Sequence, residues 1–157
     1  VIYRKTAKLF EAGGQLGAVI ANQPEAIEQA LMSYGKHLGN AFQLIDDALD
    51  YSASAEEMGK NVGDDLAEGK PTLPLIHAME NSEGKERERI RSAIENGGGD
   101  QFDPIMKTIT HTNAIEYTLD AAKLAVDEAT DSAMKLPESP YREALISLAQ
   151  FTLTRTH

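Results

Sequence analysis

Residues 25–51 read EAIEQALMSYGKHLGNAFQLIDDALDY, and this stretch decides the fold. Apolar residues recur at Ile27, Leu31, Tyr34, Leu38, Phe42, Ile45 and Leu49. Steps of three and four residues place them on one continuous stripe of a long helix. Pro24 stands where a first-turn proline is tolerated, and Asn22 just before it is expected to cap the helix. A different sector of the same helix is polar. At about 100° per residue, Gln43, Asp46, Asp47 and Asp50 fall within roughly a third of the circumference. Gly35 and Gly39 project onto nearly the same sector one and two turns earlier.

Outward from this helix, helical signals dominate. An earlier helix is expected over Ile2 to Ile20, with Leu9, Phe10, Leu16 and Ile20 partly buried and Gly13, Gly14 and Gly17 allowing close packing. Ser52 to Lys70 is polar, rich in glycine and charge, and reads as a loop with at most a short helix at Glu56. A helix from Thr72 carries Leu75, Ile76 and Met79, continues through the charged residues 85–91 to Ile94, and stops at Gly97-Gly98-Gly99. Further helices are expected over Phe102 to Thr110, Ala114 to Lys135 and Tyr141 to Thr154, with Pro137 and Pro140 marking the last connection. Tyr34, Leu38, Ile115, Leu119, Leu124, Leu145, Leu148 and Phe151 read as core or as subunit interface. The pattern is that of an all-α bundle.

Composition bounds the function. The chain has 157 residues, 41% hydrophobic and 25% charged, which fits one folding unit or part of one. It lacks cysteine, so disulfides and thiolate metal sites are excluded. The formal net charge of −10 repels phosphate backbones, so nucleic acid is not an expected partner. Apolar runs such as Leu16 to Ala21 are far short of the ~20 residues of a membrane span. No stable membrane insertion is expected, and the cytoplasm is the expected compartment. The four histidines, His37, His77, His111 and His157, lack ligand spacing.

The three aspartates of the long helix repel one another, and no nearby residue on that helix compensates them. They are either a solvated helix face or a divalent-cation site. Mg2+ prefers oxygen ligands and is often held by one or two carboxylates together with substrate phosphates. The spacing of an EF-hand calcium loop is missing. Lys60 and Lys70 each follow a glycine in the segment Gly59 to Lys70, and Lys5-Thr6 adds a third ammonium and a hydroxyl. With the acidic motif, these lysines suggest a metal-plus-lysine clamp on a diphosphate.

The segment Gly39-Asn-Ala-Phe-Gln-Leu-Ile-Asp-Asp-Ala-Leu-Asp-Tyr51 resembles the G-x-x-F-Q-x-x-D-D-x-x-D motif of the trans-isoprenyl diphosphate synthases. Gly59 to Ile76, GKNVGDDLAEGKPTLPLI, is similar to the stretch that follows that motif in the family. Lys5-Thr6-Ala7, with Leu9-Phe10 after it, resembles the family's K-T segment. The three occur in the family's order, and the resemblance is strongest to bacterial octaprenyl diphosphate synthases.

The resemblance implies an isoprenoid-synthase-type helical bundle around a deep apolar cavity, usually a homodimer. It implies Mg2+-dependent head-to-tail condensation of isopentenyl diphosphate with an allylic diphosphate. Asp46 would bind Mg2+ directly, with Asp47 and Asp50 supporting it directly or through metal-bound water. Lys5, Lys60 and Lys70 would contact the allylic diphosphate. Thr6 and Gln43 would lie beside the reacting carbons, and Phe42 would face isopentenyl diphosphate or pack in the core. Asp64 would join a water network around the metal.

The family has two aspartate-rich motifs, and one is present here. Residues 1–157 are therefore expected to be the C-terminal part of a synthase domain, with the first motif upstream of Val1 and no activity in the fragment alone. The alternatives are a non-catalytic regulatory subunit of a heteromeric prenyl synthase and a terpene cyclase. Retention of Asp46, Asp47, Asp50, Lys60 and Lys70 speaks against the first, and the Phe-Gln before the aspartates with GKPTLPL after them speaks against the second.

Overall fold

The computed structural model describes residues 2–52 and 63–154. Its elements are a π-helical turn Tyr3–Ala7 followed by α1 (Lys8–Ile20), α2 (Glu25–Leu49), α3 (Asp64–Ala67), α4 (Leu73–Glu80), α5 (Gly84–Asn96), α6 (Phe102–His111, preceded by a 3-10 turn Gly99–Gln101), α7 (Ala114–Met134) and α8 (Pro140–Thr154). No strand occurs among the described residues. The expected all-α class is what the chain adopts. No helix among them is long and apolar enough to cross a membrane.

The chain divides into two compact units, one up to Ile45 and again from Ala121, the other from Asp46 to Asp120. In the first, the stripe of α2 supplies Tyr34, Leu38 and Ala41 to a core completed by Ala125, Val126, Ala129 and Ala133 of α7 and Ala149 of α8. Alanine at 125, 129 and 133 recurs once per turn, so the partner backbone approaches closely along one line of α7. Two polar pins reinforce this packing: Tyr34 Oη donates to the Leu145 carbonyl at 2.8 Å, and the Ser33 and Ser132 hydroxyls lie 2.9 Å apart. Burial pushes the Tyr34 phenol up to about 12.

α1 also packs against α2. A Cβ on Gly39 would fall 2.6 Å from Ala7 Cα, and one on Gly35 would overlap the Phe10 carbonyl, so only glycine admits the π-helical turn and α1 this near. Of the three glycines expected to serve packing in α1, Gly14 does so against the Leu31 carbonyl, whereas Gly13 and Gly17 face open space. Leu9, Leu16 and Ile20 are 78, 57 and 78% exposed, not partly buried as their periodicity suggests. Leu124, Leu148 and Phe151 are likewise exposed, while Tyr34 and Leu38 are core.

Asn22 belongs to the end of α1, not to the start of α2. It sits at φ 50°, its N–H donates to Val19 O, and Gln23 N–H donates to Ala18 O, the paired bonds of a helix terminated by a left-handed residue.

The second unit is held by Tyr51, Leu66, Leu75, Ile90, Ile105 and Ile109, all 1% exposed or less. Each such side chain contributes on the order of 1.5–3 kcal/mol through burial. The single helix expected from Thr72 through Ile94 is in fact two. Asn81 Nδ2 and Ser82 Oγ bond the His77 and Met79 carbonyls at 2.9 and 3.4 Å, closing α4, and α5 restarts at Gly84. As expected, the helix ends at Gly97.

Candidate functional site

The predicted site residues fall in two groups. In the first unit, the turn that carries Lys5-Thr6 is π-helical, a widened form that recurs at functional sites. Gly35 and Gly39 receive it against α2, and one turn beyond Gly39 the Thr6 hydroxyl donates to Gln43 Oε1. Gln43 is buried and Thr6 half-buried, so two residues that were each singled out in the sequence meet away from bulk solvent. Lys5 is exposed beside them. Phe42 stacks obliquely on Phe10, ring centroids 5.8 Å apart, which accounts for its side chain as packing.

The second group lies in the other unit. The last turns of α2 present Asp46 and Asp50 half-exposed and Asp47 buried to 3%. The chain then returns through Gly63, whose N–H donates to the Asp50 carbonyl at 3.0 Å, and Asp65 N–H donates to Asp50 Oδ2 at 3.2 Å. Asp65 is buried to 8% and accepts from Lys70 Nζ at 2.9 Å. Glu68 Oε2 lies 2.8 Å from the same ammonium. These two carboxylates, Asp65 first, hold the Lys70 ammonium above the ordinary lysine range. The backbone supports the same placement, with Lys70 N–H on the Asp65 carbonyl at 2.8 Å and Thr72 N–H on the Lys70 carbonyl at 2.9 Å. The Thr72 and Tyr51 hydroxyls are 3.1 Å apart in a fully buried pair. Burial pushes the Tyr51 phenol well above its usual range, the Thr72 bond offsets part of this, and the carboxylates of Asp50, Asp65 and Asp47 push it further up.

Sequence reading named Lys70 and the three aspartates but pointed to Asp64 in the following loop. Asp64 is exposed, and its neighbour Asp65 is the acid that engages both Asp50 and Lys70. Tyr51 and Thr72 were quoted in the motifs without a role. Lys60 and the short helix considered at Glu56 lie outside the described residues.

The donor set bears on a metal. No group of three or more His, Asp or Glu side chains converges as a ready-made cage among the described residues. Mg2+ does not require one, because it keeps several waters and completes its octahedron with substrate oxygens on one or two carboxylates. Two half-exposed aspartates one helical turn apart, with a buried third between them in sequence, fit that mode of binding. Two surface hollows, about 590 Å³ beside Lys85, Arg89 and Asn96 and about 320 Å³ beside Tyr3, Glu11 and Lys36, contain none of the predicted site residues.

Residues 1–109 match the family model for polyprenyl synthetases. The chain is 50% identical over its whole length to octaprenyl diphosphate synthase of Haemophilus influenzae, covering 48% of that protein. The fold is similar to the crystal structure of a decaprenyl diphosphate synthase from Rhodobacter capsulatus, with TM-score 0.89 and 40% identity over 99% of this chain and 49% of that one. It is also similar to a polyprenyl synthase from Caulobacter crescentus complexed with calcium and isoprenyl diphosphate, with TM-score 0.88 and 42% identity over 99% of this chain and 48% of that one. The chain spans about half the length of the relatives it matches.

Proposed function

The chain belongs to the polyprenyl synthetase family, and on that premise we propose that it forms part of a transferase that condenses isopentenyl diphosphate head to tail with an allylic diphosphate. The product in this reading is a long all-trans polyprenyl diphosphate of octaprenyl length, supported by the 50% identity to an octaprenyl synthase. The observation that carries the reading is the return of the chain after α2, which brings the Lys70 ammonium to the aspartate-bearing end of that helix through Asp65. A diphosphate needs both signs of help, carboxylates for its counter-cation and an ammonium for its own oxygens.

In this proposal Asp46 holds Mg2+, with Asp47 and Asp50 supporting it directly or through metal-bound water. When bound, Mg2+ offsets the negative charge that grows on the leaving diphosphate. Lys5, Lys60 and Lys70 hold the diphosphate oxygens. Lys70 reaches them by exchanging its exposed partner Glu68 while keeping Asp65. The Thr6 hydroxyl and Gln43 amide, already hydrogen-bonded to each other, turn neutral dipoles toward the positive charge that develops on the allylic carbons. The first aspartate-rich motif and the isopentenyl diphosphate contacts belong, in the same reading, to sequence upstream of Val1, in a cytoplasmic homodimer.

Calorimetric titration with a non-hydrolysable allylic diphosphate analogue tests this reading, on this chain and on one with the upstream sequence restored. Binding is expected to depend on Mg2+ and to be lost in Asp46→Ala. Binding indifferent to Mg2+, or equal in Asp46→Ala and the unaltered chain, refutes it.

A further inference from the structure

Asp50, Tyr51, Thr72, Lys70 and Asp65 form a closed circuit. Asp50 Oδ2 accepts the Asp65 N–H, and Asp65 Oδ1 accepts the Lys70 ammonium. Lys70 O accepts the Thr72 N–H, the Thr72 hydroxyl meets the Tyr51 hydroxyl, and Tyr51 is bonded to Asp50 through the chain. Each link is ordinary; closure is what matters. An exposed loop held at one point swings about it, whereas one held from both sides fixes the atom between.

We infer that Tyr51 and Thr72 are positioning residues whose paired hydroxyls hold the Lys70 ammonium in register with the Asp50 carboxylate. The inference rests on the diphosphate reading of Lys70 given above. Nothing in the chemistry of that reading needs a phenol or a threonine hydroxyl at these positions. Both are nevertheless almost fully buried, Tyr51 at 1% and Thr72 at 5% exposure, and their hydroxyls meet each other. Thr72 also stands at the N-terminal boundary of α4 without using its hydroxyl as a cap, the usual duty of threonine there. The hydroxyl is committed to Tyr51 instead. Because the Thr72 N–H closes on the Lys70 carbonyl, a shift of Thr72 is passed to the lysine backbone across one residue.

A purely structural role would make loss of either hydroxyl destabilising without altering Lys70. Two measurements separate the cases. The first is brief acetylation with an N-hydroxysuccinimide ester, read by peptide mass spectrometry, with exposed Lys107 as internal reference. Tyr51→Phe and Thr72→Val are each expected to raise Lys70 labelling about three- to tenfold, the range set by loss of one buried hydrogen bond. Thr72→Ser keeps the hydroxyl and is expected to label like the unaltered chain. Thr118→Val removes a comparable buried bond, Thr118 Oγ1 to Ala114 O at 2.8 Å, elsewhere in the same unit, and is expected to lower stability with no change at Lys70. Unchanged Lys70 labelling in Tyr51→Phe and Thr72→Val, or an equal rise in Thr118→Val, overturns the inference.

The second measurement is calorimetric affinity for inorganic pyrophosphate with MgCl2, expected to weaken by a similar factor in Tyr51→Phe, Thr72→Val and Lys70→Met. If labelling responds as expected while pyrophosphate affinity is indifferent to Lys70→Met, the circuit stands and the diphosphate role of Lys70 falls.

Discussion

Gly39→Ala and Gly13→Ala are the same chemical change in neighbouring helices of one unit, and the geometry gives them opposite signs. In an open helix interior the change is favourable by about 0.5–1 kcal/mol, since alanine loses less backbone freedom on folding. Gly13 has nothing within 4 Å of the new methyl, so it should realise that gain. At Gly39 the methyl would lie 2.6 Å from Ala7 Cα and 3.1 Å from the Cβ atoms of Ala7 and Phe10. Relief requires the π-helical turn to retreat by roughly an ångström, and overpacking of this kind costs about 1–3 kcal/mol. After the alanine gain is subtracted, Gly39→Ala should destabilise by up to about 2.5 kcal/mol. Urea denaturation followed by circular dichroism should therefore move the two midpoints in opposite directions by about 0.5–1 M. The retreat also parts Thr6 from Gln43, so the Gln43 side-chain amide resonances should shift in Gly39→Ala and stay in place in Gly13→Ala. A stabilising Gly39→Ala would refute the claim that this glycine is kept for helix approach.

The raised Tyr34 phenol predicts a loss of stability at high pH: the unfolded chain releases that proton near 10, the folded one only near 12, so the contribution is complete below pH 10 and is lost as pH rises through about 12. Absorbance of phenolate at 295 nm should show two late-titrating tyrosines in the folded chain, Tyr34 and Tyr51, of which the earlier is lost in Tyr34→Phe and the Tyr51 signal remains. Ile105→Ala, fully buried in the second core, should cost about 2–5 kcal/mol in the same denaturation assay, whereas Leu124→Ala, 66% exposed, should stay within about 0.5 kcal/mol. Purified alone, the 157-residue chain should form no prenyl product from labelled isopentenyl diphosphate and an allylic substrate; measurable product contradicts the assignment of half the catalytic groups to upstream sequence.

The long helix α2 was legible because one stripe of seven apolar residues repeats without a break over about seven turns. Chain breaks were less so. Residues 85–91 are good helix formers, so periodicity ran through Asn81-Ser82, whose side chains in fact close α4 on its own carbonyls. Asn22 illustrates a second ambiguity: asparagine suits both a helix start and the left-handed residue that ends one, and only the bonds to Val19 and Ala18 decide between them. Apolar spacing identified Leu9, Leu16 and Ile20 without showing what, if anything, covers them. At the site, residue types announced the chemistry while adjacency hid the geometry. Asp64 and Asp65 are indistinguishable in a string, yet neighbouring positions on a helical turn point about 100° apart, which separates an exposed acid from the buried one that grips Lys70. The π-helical form of the Lys5-Thr6 turn has no sequence signature at all.

α2 and α7 each begin in one unit and finish in the other. A helix is usually treated as one cooperative object, but its amides exchange with solvent only as fast as the packing around them opens. If the two cores open with different free energies, deuterium uptake along α2 should step at Ile45 and along α7 at Asp120, within runs of unbroken helical hydrogen bonds. The residues just past the first step are Asp46, Asp47 and Asp50, so the acidic motif would share the opening rate of the Leu66–Ile105 core and not that of the helix turns that precede it.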